Sequence, residues 1–432
     1  METKKLKTFF VILLMGTSLL IAYSKYAQYE RALQGQLELN KSLELIKSDL
    51  GTYGVEYNST HSQYLAQKVG REDCEMAVER VLLLRKKLVE LNASEYDIED
   101  VDDCLNETYA HMDAGRFHRA LVESRVCAIS AFDSIGSTLV TANRSEFMEY
   151  AREELQNLTA LKEKVDREWK RKLDGGVDFT DYMITGFVVE DNIIKAEIFL
   201  NRSHGFLEEL QKMPDPTTPE EIENISLLGS WIASNLEFAR SFLGDAMVLM
   251  NHMTPGNFTP DELRDNVYSL GNNLSRVDIT CNFTEAMLKV ACDWKDYHKK
   301  QGLLGVEKGY CSAAIYHLLY AIAIDEHLDE FEALNSTFAT LKTPAEKVRM
   351  ILRLRHEALE SINACHRDPL TSLYIQDAVG WYFKHGDVVL ESMVKLRTDD
   401  PTTQPIYNYE MAKIIAKKMC PYVSRLYQTS TR

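Results

Sequence analysis

The densest gathering of residues able to do chemistry is Tyr310, Tyr316, His317, Tyr320, Asp325, Glu326 and His327. At helical spacing His317 and Tyr320 share a face, and His327 beside acids has the makings of a metal ligand. The simpler expectation, taken here, is a helix whose tyrosines and His317 cap a core while Asp325–Glu330 lie in water. A second polar group, Glu190-Asp191-Asn192, interrupts an apolar stretch. It is either a buried polar site or a solvated stripe, and the stripe is expected. The remaining motifs are sparse. There is no Gly-x-Ser-x-Gly, Gly-x-Gly-x-x-Gly, Walker loop, His-Glu-x-x-His or Glu-x-x-His. Ser392-x-x-Lys395 is about the one match that 26 serines give by chance. No catalytic, cofactor-binding or metal-ligating residue is therefore singled out, and a non-enzymatic role is expected.

Asparagines say more. Asn-x-Ser/Thr occurs at Asn40, Asn58, Asn92, Asn106, Asn143, Asn157, Asn201, Asn224, Asn257, Asn273, Asn282 and Asn335, twelve times. Random placement of 19 Asn and 52 Ser and Thr would give about two. The excess predicts N-glycosylation, hence export and surface exposure. Eight cysteines, none within ten residues of another, read as disulfides rather than zinc or redox motifs. Three lie in the first 130 residues and five after 280. If all are paired, a bridge must join the two ends of the chain; otherwise one thiol in each half is free and buried. The charge balance, 49 Lys and Arg against 65 Asp and Glu, gives −16 and argues against a nucleic-acid partner.

The elements that must position these residues are helices throughout. Lys4, Lys5 and Lys7 precede an uncharged run, Thr8–Ser24. This predicts a signal anchor or signal peptide at 1–24, with the membrane as partner if the anchor is retained. Helical regions are expected at 25–213 and 214–432. All ten prolines lie at or after Pro214. Thr218-Pro219, Thr259-Pro260 and Thr343-Pro344 read as N-cap and N1 pairs, the last with Glu346 completing a capping box. Asp368-Pro369 and Asp400-Pro401 look like two more starts. Breaks are expected at Gly51–Gly54, Asp174–Gly176, Pro214–Pro219, Thr254–Pro260 and Thr398–Pro405. The stretch from Phe179 to Leu210 is apolar on most sides and should be central.

Gly115-Arg116-Phe117-His118-Arg119-Ala120 and Gly309-Tyr310-Cys311-Ser312-Ala313-Ala314 each set a glycine, a nearby aromatic and an alanine five residues on. Glycine would end one helix and alanine would let the next return close against it. His385-Gly386-Asp387 reads as a third, degenerate turn. Cys104 and Cys127 lie 11 and 12 residues from Gly115, so an antiparallel hairpin brings them together. Cys365 with Cys420 is the second expected bridge. The pattern resembles the tetratricopeptide-like helical hairpins of exported euryarchaeal cell-surface proteins, over 96–135 and 290–325. The two copies lie 194 residues apart, which points to an irregular all-α multi-helix bundle rather than a regular solenoid. The resemblance implies a protein partner or scaffolding at the cell surface. Competing readings are a ligand-binding or sensory ectodomain with a pocket between helices, and a hydrolase.

Overall fold

The structure is a computed structural model and describes residues 36–37, 40–51, 67–275, 286–365, 369–396 and 403–430. The signal segment at 1–24, the break at Gly51–Gly54 beyond Gly51, Asp400-Pro401, Asn58 and Asn282 lie outside the described residues. The architecture is all-α. Among the described residues the only β pairing is a pair of isolated bridges from Val177 to Pro255 and Phe258. No described helix is long and apolar enough to cross a membrane.

After a helical segment at 40–51, the helices in order are α1 Arg71–Glu90, α2 Glu95–Asp113, α3 Phe117–Ala142 and α4 Arg144–Asp174. Next, α5 starts as one turn at Phe179–Asp181, widens into a π-helical turn at Tyr182–Gly186 and continues through Phe187–Lys212. Then come α6 Pro219–Asn251, α7 Asp261–Ser275, α8 Ala286–Lys308 and α9 Cys311–Thr340. The last three are α10 Pro344–Asn363, α11 Pro369–Leu396 and α12 Gln404–Ser430.

Local chemistry explains most boundaries. Thr218 and Thr343 accept from the backbone N–H of Glu221 and Glu346, whose side chains reach back to complete capping boxes. Asn143 caps α4 by accepting from the Glu146 N–H. Gly115 and Gly309 both adopt positive φ, +68° and +76°, and close the helices before them. The Arg116 N–H then donates to the His111 carbonyl, and the Tyr310 N–H to that of Gly305. The third expected turn is not one. Gly386 lies inside the continuous helix α11, where an added Cβ would come within 2.6 Å of the Tyr409 ring. There glycine makes room for an aromatic rather than reversing the chain.

The chain divides into two compact units, and the division does not follow the expected boundary at 213/214. One unit comprises Met1–Asn58, Glu326–Ala364 and Ala378–Lys417; the other comprises Ser59–Asp325, Cys365–Asp377 and Lys418–Arg432. Helices α5 and α6, on either side of 213/214, pack together in the larger unit through the Phe199 and Phe238 rings, 5.0 Å apart. In that unit α3 and α6 cross where an added Cβ on Gly136 would meet the Gly229 carbonyl oxygen at 2.4 Å. On α4, Leu158, Val165 and Trp169 are buried on one stripe, and Asn157 lies outside it, exposed.

In the smaller unit the fully buried Arg355 is the hub. Its guanidinium donates to Asp387 at 2.8 and 3.0 Å and to Asp49 at 2.8 Å. The Tyr409 hydroxyl donates to the same Asp387 at 2.6 Å. A buried charge is tolerable when paired and hydrogen-bonded in this way.

Cys104 and Cys127 are bonded, with Cα atoms 5.7 Å apart, and so are Cys365 and Cys420 at 5.3 Å. Cys292 is also disulfide-bonded. Cys74 and Cys311 are free and buried. Of the three cysteines in the first 130 residues, two are bonded to each other and Cys74 is free, so the expectation of a bridge to the C-terminal half gives way to one free thiol in each half.

Candidate functional site

The solvated stripe expected at Glu190-Asp191-Asn192 is instead buried, the three residues being 0, 6 and 5% exposed. The π-helical turn just before them is walled by Trp169, which stacks on Tyr182 at 6.3 Å. Gly186 gives that pair room, since a Cβ there would come within 2.8 Å of the Tyr182 ring. A π turn adds one residue to the helix and shifts the face that follows it. Glu190 accepts from the Tyr182 hydroxyl and from the Ala313 N–H, both at 2.9 Å. The acid of α5 thus satisfies an orphan donor at the start of α9. Burial, only partly offset by these hydrogen bonds, pushes the Glu190 carboxyl up to about 8.

Asp191 begins a row of three hydrogen-bonded side chains. Its Oδ1 lies 2.9 Å from His317 Nε2, and His317 Nδ1 lies 2.7 Å from His298 Nδ1. Lys195, one turn along α5, donates to Asp191 Oδ2 at 2.6 Å. Burial disfavours the Asp191 carboxylate, yet the Lys195 charge and the His317 hydrogen bond hold it well below the usual carboxylate range. An ionised Asp191 only accepts, so His317 Nε2 carries a proton. Between the two Nδ1 atoms only one can carry a proton. Burial, reinforced by His317, pushes His298 well below the ordinary histidine range, so His298 is neutral near pH 7.

The row opens into a cleft of about 590 Å³ between α5, α6, α8 and α9. Its walls are aromatic: Phe187, Phe199, Phe242, Trp294, Tyr297 and Tyr316. The His298 ring is stacked on Trp294 at 5.6 Å and on Tyr320 at 4.2 Å. What brings α8 and α9 close enough is glycine. A Cβ on Gly302 would meet Leu318 at 2.7 Å, and one on Gly305 would meet Ala314 at 3.1 Å.

The cluster singled out in the sequence is therefore divided. Tyr316 and His317 line the cleft, and Tyr320 packs on His298. Tyr310 donates to Asp166, and Asp325 pairs with Lys295 at 3.3 Å. Glu326 and His327 belong to the other unit, where His327 is fully buried and neither ring nitrogen has a hydrogen-bond partner. Asp325 and Glu326 are half-buried rather than in water, while Asp329 and Glu330 are exposed. No described group of His, Cys, Asp and Glu is placed to hold a metal ion. Sequence reasoning missed His298, Lys195 and Trp294. A signal was there: Asp191 and Lys195 at i, i+4 in an otherwise apolar helix, and Trp294, Tyr297 and His298 on one helical face.

The sequon asparagines lie at the surface. Asn40, Asn92, Asn106, Asn143, Asn157, Asn201, Asn224, Asn257 and Asn273 are exposed, and Asn335 is half-buried. The two buried asparagines among the described residues, Asn192 and Asn408, are both outside sequons. No family model matches the chain, and no curated protein or solved structure shows a significant likeness to it.

Proposed function

We propose that this is an exported, N-glycosylated helical ectodomain that binds a small organic ligand in the cleft between α5, α6, α8 and α9. The observation that carries the reading is the aromatic-walled cleft with the Asp191–His317–His298 row at its edge. Size, apolar walls and a few convergent polar groups are the ordinary features of a small-molecule site. Export is supported by the exposure of the sequon asparagines and by disulfides, which persist in oxidising compartments. The N-terminal segment would serve as signal or anchor, placing the cleft on the outer side of the membrane.

Binding is favoured over acyl-transfer chemistry for a specific reason. Among the described residues no Ser, Thr or Cys is hydrogen-bonded to His298 or His317, so the row activates no nucleophile of the protein's own. A scaffold role with a protein partner remains compatible with the fold, but the cleft gives ligand binding a defined address.

Thermal melts of the full-length glycoprotein against pooled small molecules from its native growth medium test the reading. A ligand at about a hundred times its Kd should add roughly 2.7 kcal/mol and raise the melting temperature. Trp294→Ala, at a half-exposed wall residue, should abolish the rise. If no pool shifts the wild-type melt, or if the variant responds equally, the cleft is not the ligand site.

A further inference from the structure

Along α5 the cleft face runs Asn192, Lys195, Phe199 and Arg202, at i, i+3, i+7 and i+10. We infer that the cleft takes an organic anion with a flat apolar body, a carboxylate above all, held at its charged end by Lys195 and Arg202. The inference rests on the reading of the cleft as a ligand site and names the class of ligand.

Charge makes the first argument. Among the described residues the only acid lining the cleft is Asp191, and both of its oxygens are taken, one by His317 and one by Lys195. Lys195 keeps two donors beyond that pair, and its side chain is 32% exposed. Arg202 is exposed and, among the described residues, forms no ion pair. In a chain of net charge −16, the accessible charge in this cleft is positive.

Aromatic walls alone would also suit a cation, as in cages for quaternary ammonium groups. Here two of the six wall rings already carry a cation. Lys195 lies over the Phe242 ring at 5.7 Å and Arg202 over Phe199 at 5.3 Å. A cationic ligand would meet two like charges and no free acid. An inorganic anion would make no use of the apolar walls. A planar body with an anionic group satisfies both the walls and the cations.

The floor supplies polar recognition. Asn192 is 95% buried and lines the cleft. His298 has engaged only Nδ1, which leaves Nε2 for a further hydrogen bond. A ligand body with a polar group opposite Asn192 and His298 would be recognised there.

Calorimetric titration of the full-length glycoprotein with three compounds of one shape provides the test: 2-naphthoate, 2-naphthamide and 2-naphthylmethylammonium. The carboxylate should bind roughly ten-fold tighter than the amide, with the ammonium weakest. Arg202→Gln, at an exposed position, should weaken naphthoate about five- to ten-fold and leave naphthamide within about two-fold. If the amide matches the carboxylate, or the ammonium binds best, the anion assignment is wrong while the cleft remains a ligand site. If none of the three binds, or Trp294→Ala leaves their binding unchanged, the assignment fails together with the ligand-site reading.

Discussion

His327 and Glu190 make opposite contributions to stability as pH changes. His327 is buried with two nitrogens that bond to nothing, and burial together with the Lys413 charge pushes its imidazole down to about 3. The unfolded chain takes up that proton near the ordinary 6.5, so this contribution is intact above 6.5 and is lost as pH falls toward about 3. His327→Leu removes both orphaned nitrogens at similar volume and should raise stability by about 1 kcal/mol or more at pH 7. The gain should be larger at pH 5, read by denaturant melts at both pH values. An unchanged or lowered midpoint would mean the nitrogens are satisfied after all. Glu190 runs the other way. Its carboxyl stays protonated up to about 8 when folded but ionises near 4.5 when unfolded. Its contribution is full below 4.5 and is lost as pH rises through about 8. Glu190→Gln keeps one acceptor for the Ala313 N–H and should flatten the fall of the melting temperature between pH 6 and 9, even if it melts lower overall. A slope identical to that of the wild type would refute the raised carboxyl.

At the scale of elements, what is local was legible. The capping boxes at Thr218 and Thr343 and the glycine closures at 115 and 309 rest on residues within five positions of each other, so the chain states them directly. What depends on distant partners was not. Three consecutive polar residues look solvated at 190–192, because the groups that satisfy Glu190 and Asp191, Ala313 and His317, lie more than 120 positions away. Gly386 looked like a turn because its neighbours are polar, but the Tyr409 ring sets the requirement for glycine there. Helix crossings give this a measurable form. Gly136 and Gly229 let α3 and α6 approach until backbone nearly touches backbone. Gly229→Ala should cost about 1–3 kcal/mol through overpacking. Gly244→Ala lies on the same helix with open space around the new methyl, and should gain about 0.5–1 kcal/mol from the unfolded-state entropy of glycine. Urea midpoints of the two variants should move in opposite directions. A shared direction would mean that helix propensity, not the crossing, governs α6.

For the whole molecule, the all-α class was legible from the pervasive 3.6-residue period, but the partition into units was not. Each unit draws on chain segments far apart in sequence, whereas composition shifts only reveal contiguous domains. The cysteines make the same point. Nearly equal distance from Gly115 was enough to pair Cys104 with Cys127, since a hairpin is local geometry, but nothing local marks Cys74 and Cys311 as free. Burial lifts their thiols to about 11 and about 12, so neither is a ready nucleophile. Iodoacetamide should label both only after denaturation, without added reductant. Labelling in the native state would show that one of these pockets opens. The surface carries the last expectation. Sequons at nine exposed positions, with both buried asparagines outside sequons, are what a chain shaped for glycosylation requires, because a glycan cannot occupy a packed face. Mass spectrometry of protein from its native host should find glycans on several of the nine, with Asn335 the least occupied of the described sites because it is half-buried. Unmodified peptides across all nine would overturn the glycan assignment and remove the sequons as support for export.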